Sequence, residues 1–176
     1  AIAVATEEGL PDAAIVRGLA DFAGVGRRFQ VTESVHVGSA AVTLVDDYGH
    51  HPTEVARVIE TARAVWPGHR IVMAYQPLRF SRTRDLYDDF VRVLSGVDVL
   101  VLLEVYGAGE EPLPGADGRS LAQGIRQRGL VNPVYAESPE EALAILPGLV
   151  RDGDILLVQG AGNVNRISNV LRGTPS

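Results

Sequence analysis

Two periods alternate along the chain. Short runs with almost no polar residue, Ala41-Val42-Thr43-Leu44-Val45, Ile71-Val72-Met73-Ala74-Tyr75, residues 98–103 and Ile155-Leu156-Leu157-Val158, have the pattern of strands buried on both faces. Between them apolar positions recur at helical spacing, which predicts helices near 53–65, 83–95, 119–128, 138–148 and 164–172. Pro52 suits the first position of the helix it precedes. Arg27-Arg28-Phe29-Gln30-Val31 reads as an edge strand, Val134-Tyr135 as a short strand and residues 107–118 as a Gly/Pro-rich loop. Strands alternating with amphipathic helices imply an α/β fold. Right-handed crossovers then give a doubly wound, mostly parallel sheet with helices on both faces.

The first 22 residues lie outside this alternation. They read as two short helices broken at Gly9-Leu10-Pro11, the second carrying Ala14, Ile15, Leu19 and Phe22 on one stripe. The chain opens inside an apolar stripe, Ala1-Ile2-Ala3-Val4-Ala5, with neither Met nor a helix cap. We therefore expect a piece of a longer polypeptide, with 1–22 as a connector or the tail of a preceding domain and 23–176 as the domain proper.

Composition narrows the chemistry. A chain of 176 residues with 46% apolar content is long enough to bury roughly 70% of its extended surface. No apolar run approaches the ~20 residues of a membrane span. With no cysteine there is neither a disulfide framework nor a thiolate metal site, and all 16 basic residues are arginine. That excludes lysine as a Schiff base, phosphate-loop ligand or carbamylated metal ligand. The formal charge of −6 without a basic tract argues against sequence-independent nucleic-acid binding, which depends on clustered Arg and Lys. These features fit a cytoplasmic chain with no membrane and no nucleic-acid partner.

In a doubly wound sheet ligands collect at the carboxyl ends of the strands. The segments there are Asp46-Asp47-Tyr48-Gly49-His50-His51-Pro52, Gln76-Pro77-Leu78-Arg79-Phe80-Ser81-Arg82-Thr83-Arg84, Glu104, and Gln159-Gly160-Ala161-Gly162-Asn163. The Asp/His segment admits hard-metal ligation, a general base with an orienting carboxylate, or helix capping. A metal site is the weakest of these, because only His36 and His69 remain to add imidazoles. Arg79, Arg82 and Arg84 are expected at the opening of a helix, where the dipole favours anions, so they are either solvated and paired with Asp85, Asp88 and Asp89 or hold a carboxylate or phosphate bidentately. Gly160-Ala161-Gly162 resembles a dinucleotide turn but has Asn165 where the third Gly belongs.

These segments, together with Gly24-Val25-Gly26-Arg27-Arg28-Phe29-Gln30, resemble in their order the C-terminal domain of the Mur ligases, in particular of the branch that joins L-alanine to UDP-N-acetylmuramate in peptidoglycan synthesis. The resemblance covers nearly the whole chain. It implies an ATP-dependent ligase of three domains, of which 1–22 would end the central one. ATP and Mg²⁺ would serve the complete enzyme, with the ATP phosphate loop upstream and no complete catalytic set here. It further implies that the muramoyl carboxylate is activated as an acyl phosphate and attacked by the alanine amine. Arg28 would reach the nucleotide phosphates, and Asp47 would bind the ribose or orient its loop. Tyr48, His50, Arg79 and Arg82 would line the amino-acid pocket. The competing readings are a small metal-dependent α/β hydrolase using Asp46–His51 and a nucleotide-binding regulatory module using the Gly-Ala-Gly turn.

Overall fold

A computed structural model describes residues 1–22 and 24–173; Ala23 and residues 174–176, which the expected 23–176 domain includes, lie outside the described residues. The order of elements is α1 (Ile2–Glu7), α2 (Asp12–Ala20), β1 (Gln30–Val37), β2 (Ala40–Asp47), α3 (Pro52–Val65), β3 (Ile71–Tyr75), α4 (Phe80–Asp85), α5 (Tyr87–Leu94), β4 (Val99–Leu103), α6 (Gly118–Arg128), β5 (Val134–Ala136), α7 (Pro139–Ile145) with a 3₁₀ turn at Leu146–Gly148, β6 (Ile155–Gln159) and α8 (Asn165–Arg172). Six strands form one sheet in the order β1-β2-β6-β3-β4-β5. Every neighbouring pair is parallel except β1–β2, as the alternation of buried runs and helices predicts.

Both faces of the sheet are covered. Ile71, Met73 and Tyr75 of β3 pack with Val55 and Ile59 of α3, Phe90 and Leu94 of α5 and Leu121 and Ile125 of α6. Their neighbours Val72 and Ala74 turn to the other face, against Ala142 of α7 and Ile167 of α8. A strand with period-2 side chains and apolar cover on both sides has no position for a polar residue until it ends, which is why the polar groups gather at the strand termini.

Three expectations are corrected. The edge strand spans 30–37 rather than 27–31, because Arg27 and Phe29 adopt positive φ (57° and 48°) and 27–29 folds back over the β2 end, with the Tyr48 N–H donating to Arg27 O at 2.8 Å. The single helix expected near 83–95 is two, parted at Leu86 (φ −116°, ψ 24°). The break lets Phe80 join Val105 and Ala116 in a small separate cluster while α5 buries Phe90, Val93 and Leu94 in the main core. Arg82 and Arg84 therefore occupy the last turn of α4, the end at which a helix favours cations, and only Arg79 stands at its start.

Helices α1 and α2 bury none of their residues. Ile2, Val4, Leu10, Val16, Leu19 and Phe22 are exposed. No helix among the described residues is long and apolar enough to cross a membrane.

Candidate functional site

The carboxyl end of β2 resolves each doubled pair in the sequence into an inward and an outward member. Asp46 is 1% exposed and sits between Arg27 (Nε to Oδ1, 3.3 Å) and Arg172 of α8 (Nη1 to Oδ2, 3.2 Å). Asp47 points to the loop, where Oδ2 accepts the Phe29 N–H at 2.8 Å and Oδ1 accepts the Gly49 N–H at 2.7 Å and Gln159 Nε2 at 3.3 Å. His51 caps α3 by accepting the Thr53 N–H at Nδ1, whereas His50 turns toward Tyr48, edge to face at 5.5 Å between ring centroids.

Arg27 is the hub of this end of the sheet. Besides Asp46, its Nη2 donates to Gly160 O in the β6 turn, its backbone carbonyl accepts the Tyr48 N–H, and its guanidinium lies 5.2 Å from the Tyr48 ring centroid. Arg28, by contrast, is exposed and makes no hydrogen bond or ion pair with any described residue. A lone guanidinium beside such a framework is free to meet an anion.

Glu54 closes the loop from the first turn of α3. Oε2 accepts both the His50 N–H (2.8 Å) and the His51 N–H (2.9 Å). Burial works to raise the Glu54 carboxyl, but these bonds and the adjacent His50 and His51 rings together hold it below the usual carboxylate range. Tyr75 donates from below to His50 O at 3.3 Å. Its phenol is pushed far up by burial, against the opposing charge of Arg82, so it remains a donor. Gly49 cannot be larger, since a Cβ there would lie 2.7 Å from Gln159 Nε2 and 2.8 Å from Asp47 Oδ1.

The result is a cleft of about 420 Å³ lined in part by Arg28, Asp47, Tyr48, His50, Thr53 and Glu54. It brings together four of the six expected site residues. Arg79 and Arg82 do not line it. Arg82 comes near through the buried Tyr75, and its Nη1 is buried with no hydrogen-bond partner. Arg79 is exposed, 3.9 Å from Glu110. Of the polar partners in this network, Arg27 stood in a recognisable motif and Glu54 two residues past the Asp/His segment, but nothing local in the sequence signalled Tyr75 or Arg172.

The other strand ends are equally ordered. Gln76 donates to Asn163 Oδ1 at 2.8 Å and accepts the Val164 N–H at 3.0 Å, and Gly160 (φ 142°) lets the β6 turn pass Gln76, whose carbonyl a Cβ would meet at 2.6 Å. The Gly-Ala-Gly turn thus serves close packing. Glu104 is spent on the Val105 and Gly118 N–H groups and the Tyr135 hydroxyl. Among the described residues no three His, Asp or Glu side chains come together as metal ligands, and the acidic pair in the Asp46–His51 loop is already committed to arginines and backbone N–H groups.

Residues 27–162 match the family described as Mur ligase, glutamate ligase domain. The chain belongs to the Mur ligase family. Its fold is similar to that of the UDP-N-acetylmuramate–alanine ligase MurC of Thermotoga maritima, with a TM-score of 0.67 and 25% identity over 98% of this chain and 35% of that one. It is similar also to the murein peptide ligase Mpl of Psychrobacter arcticus (TM-score 0.65, 19% identity, 89% of this chain and 31% of that one). A third likeness is to E. coli FolC in complex with DHPP and ADP (TM-score 0.67, 19% identity, 93% of this chain and 35% of that one). The chain thus spans about a third of the length of these ligases.

Proposed function

We propose that this chain is the C-terminal domain of a cytoplasmic ATP-dependent ligase that joins L-alanine to UDP-N-acetylmuramate in peptidoglycan synthesis. Residues 1–22 are then the closing helices of the central domain or a connector, and their exposed apolar residues fit a face made to be covered by the upstream domains of the same polypeptide. The observation that carries the reading is Arg28, which stands at the ordered cleft without an internal partner; outside the cleft, Arg82 Nη1 is buried without one as well.

ATP supplies the phosphoryl group that activates the muramoyl carboxylate. Arg28 fits the nucleotide phosphates, since it is a free cation at the rim of the cleft. Asp47, whose oxygens hold Phe29 and Gly49, orients the loop that carries Tyr48 and His50. For Mg²⁺ the described residues provide no ligand set. Arg82 with Arg79 would fix the amino-acid carboxylate, and Tyr48 and His50 would bound the side-chain end of the pocket. Holding amine and acyl donor in register is worth several kcal/mol, of order 7–11 at best, of the barrier.

The test is made on the ligase polypeptide that contains this domain, with ATP, UDP-N-acetylmuramate and either L-alanine or L-glutamate, following ADP release. Release is expected to depend on L-alanine, and dependence on L-glutamate instead would overturn the assignment. Arg82→Lys keeps the charge but loses the planar fork, so it should raise the L-alanine KM about tenfold with an unchanged melting temperature. An unchanged KM would remove Arg82 from the pocket.

A further inference from the structure

The loop that follows β4 determines where Arg79 stands. Arg79 precedes α4 with φ 70° and ψ 129°, a left-handed conformation that a branched or long side chain adopts only when its surroundings impose it. Two contacts impose it. The Arg79 N–H donates to Tyr106 O at 2.9 Å and the Tyr106 N–H donates to Pro77 O at 2.9 Å, so Leu78 and Tyr106 form an isolated parallel bridge, a step beyond the β3–β4 ladder and one residue out of its register. Beyond that step Glu110 closes the join: its Oε2 accepts the Ser81 N–H at 3.0 Å and its Oε1 the Ser81 hydroxyl at 2.7 Å. Helix α4 has no acidic residue in its first turn and no side-chain cap, and Glu110, 29 residues away, supplies the missing acceptor.

The loop is shaped for this purpose. Ala108 (φ 51°) and Gly109 (φ 89°) turn the chain back, and the Glu110 N–H donates to Gly107 O. A Cβ on Gly107 would lie 2.9 Å from the Phe80 ring and 3.0 Å from Glu110 O, so only glycine lets the loop rest on α4. The remaining field of the Glu110 carboxylate falls on Arg79, with Nη1 3.9 Å from Oε1.

We propose that Glu110 is a positioning residue for the amino-acid carboxylate subsite: by clamping Ser81 it holds the Arg79 backbone in its left-handed state and aims the guanidinium. This rests on the reading of Arg79 as a carboxylate ligand. Its Ser81 bonds, with the nearby Arg79 charge, keep the Glu110 carboxyl below the usual carboxylate range, so the clamp is ionised at neutral pH.

The experiment compares Glu110→Ala, Glu110→Gln, Arg79→Ala and the Glu110→Ala/Arg79→Ala double variant in the ligase polypeptide. Steady-state constants for L-alanine and ATP are measured together with melting temperature. We expect Glu110→Ala to raise the L-alanine KM about tenfold and Glu110→Gln, which keeps one acceptor for Ser81, about threefold, with the ATP KM and kcat within about twofold of the parent. The double variant should be no worse than Arg79→Ala, because both changes remove one interaction. If Arg79→Ala raises the L-alanine KM while both Glu110 variants alter only kcat or melting temperature, the proposal is overturned and the pocket reading stands. If Arg79→Ala leaves that KM unchanged, the pocket reading fails and this proposal with it. Glu110→Gln decides the matter should Glu110→Ala not fold.

Discussion

The loops after β2 and β3 lie at the carboxyl end of the sheet on either side of β6 but are held by different means. The β2 loop is closed in large part by bonds within itself: Asp47 accepts the Gly49 N–H two residues on, and Glu54 accepts those of His50 and His51 from the next helical turn, while Phe29, Arg27, Gln159 and Tyr75 add contacts from elsewhere in the fold. The β3 loop is held from outside. Gln76 is tied to Asn163 and Val164, Arg79 to Tyr106 and Ser81 to Glu110. Local capping bonds can form with the helix they cap, whereas bonds to distant strands form only when the sheet is complete. The backbone of Arg79, tied to Tyr106, therefore takes its geometry from the neighbouring strand end.

The comparison can be broken most severely at Asp46, the point where the β2 end is tied to the rest of the fold. Asp46→Ala leaves Arg27 and Arg172, whose side chains are only 21% and 14% exposed, facing each other without a counter-ion. Removing one member of a buried ionic group costs about 3–5 kcal/mol, and urea denaturation should show a loss of that size. A loss below 1 kcal/mol would mean that the β2 end does not depend on the triad.

Gly49→Ala is a milder test of the self-organised loop. The added methyl meets Asp47 and Gln159 below 3.0 Å, so the loop must shift. Thermal unfolding should report a cost of about 1–3 kcal/mol, and a crystal structure should show the Asp47–Gly49 bond lengthened.

The smallest effect sharpens the comparison through pH. A carboxyl whose folded pKa lies below its unfolded value binds a proton more readily in the unfolded chain, so it stabilises the fold above the unfolded value and ceases to as pH falls through the folded one. Glu54 is such a group, with an ordinary value of 4.5. Glu54→Gln should thus lower stability at neutral pH slightly and flatten its decline below about pH 4.5, when denaturation midpoints are compared between pH 3 and 7. Parallel declines for the two proteins would show that the Glu54 charge is not what holds His50 and His51.

The candidate site was unevenly legible. Pro52 and the His51–Glu54 capping pair follow local rules, and the loop they close stands where the sequence places it. Arg79 stands at the start of α4 but outside the cleft. Arg82 and Arg84 do not open a helix, because α4 begins three residues earlier and stops at Leu86. The sequence also left open what the Asp47 oxygens touch, and in the fold they accept bonds from Phe29, Gly49 and Gln159. Both Arg27 and Arg28 line the cleft, and which of them is spent on internal partners could not be read from two adjacent identical letters. It depends on the positive φ of Arg27 and on Asp46 lying beneath it.

By itself the sequence determined the alternation of buried strands with amphipathic helices, and with it the two-faced sheet and the place where polar loops must gather. Those features follow from side-chain period and burial, which act within a few residues. The tertiary structure alone decided which arginine is spent inside, through Asp46 and Arg172, and which stays free. It also decided the strained backbone of Arg79 under Tyr106 and Glu110. Each of these is a contact between segments tens of residues apart, and such a contact exists only after the strands have taken their order in the sheet.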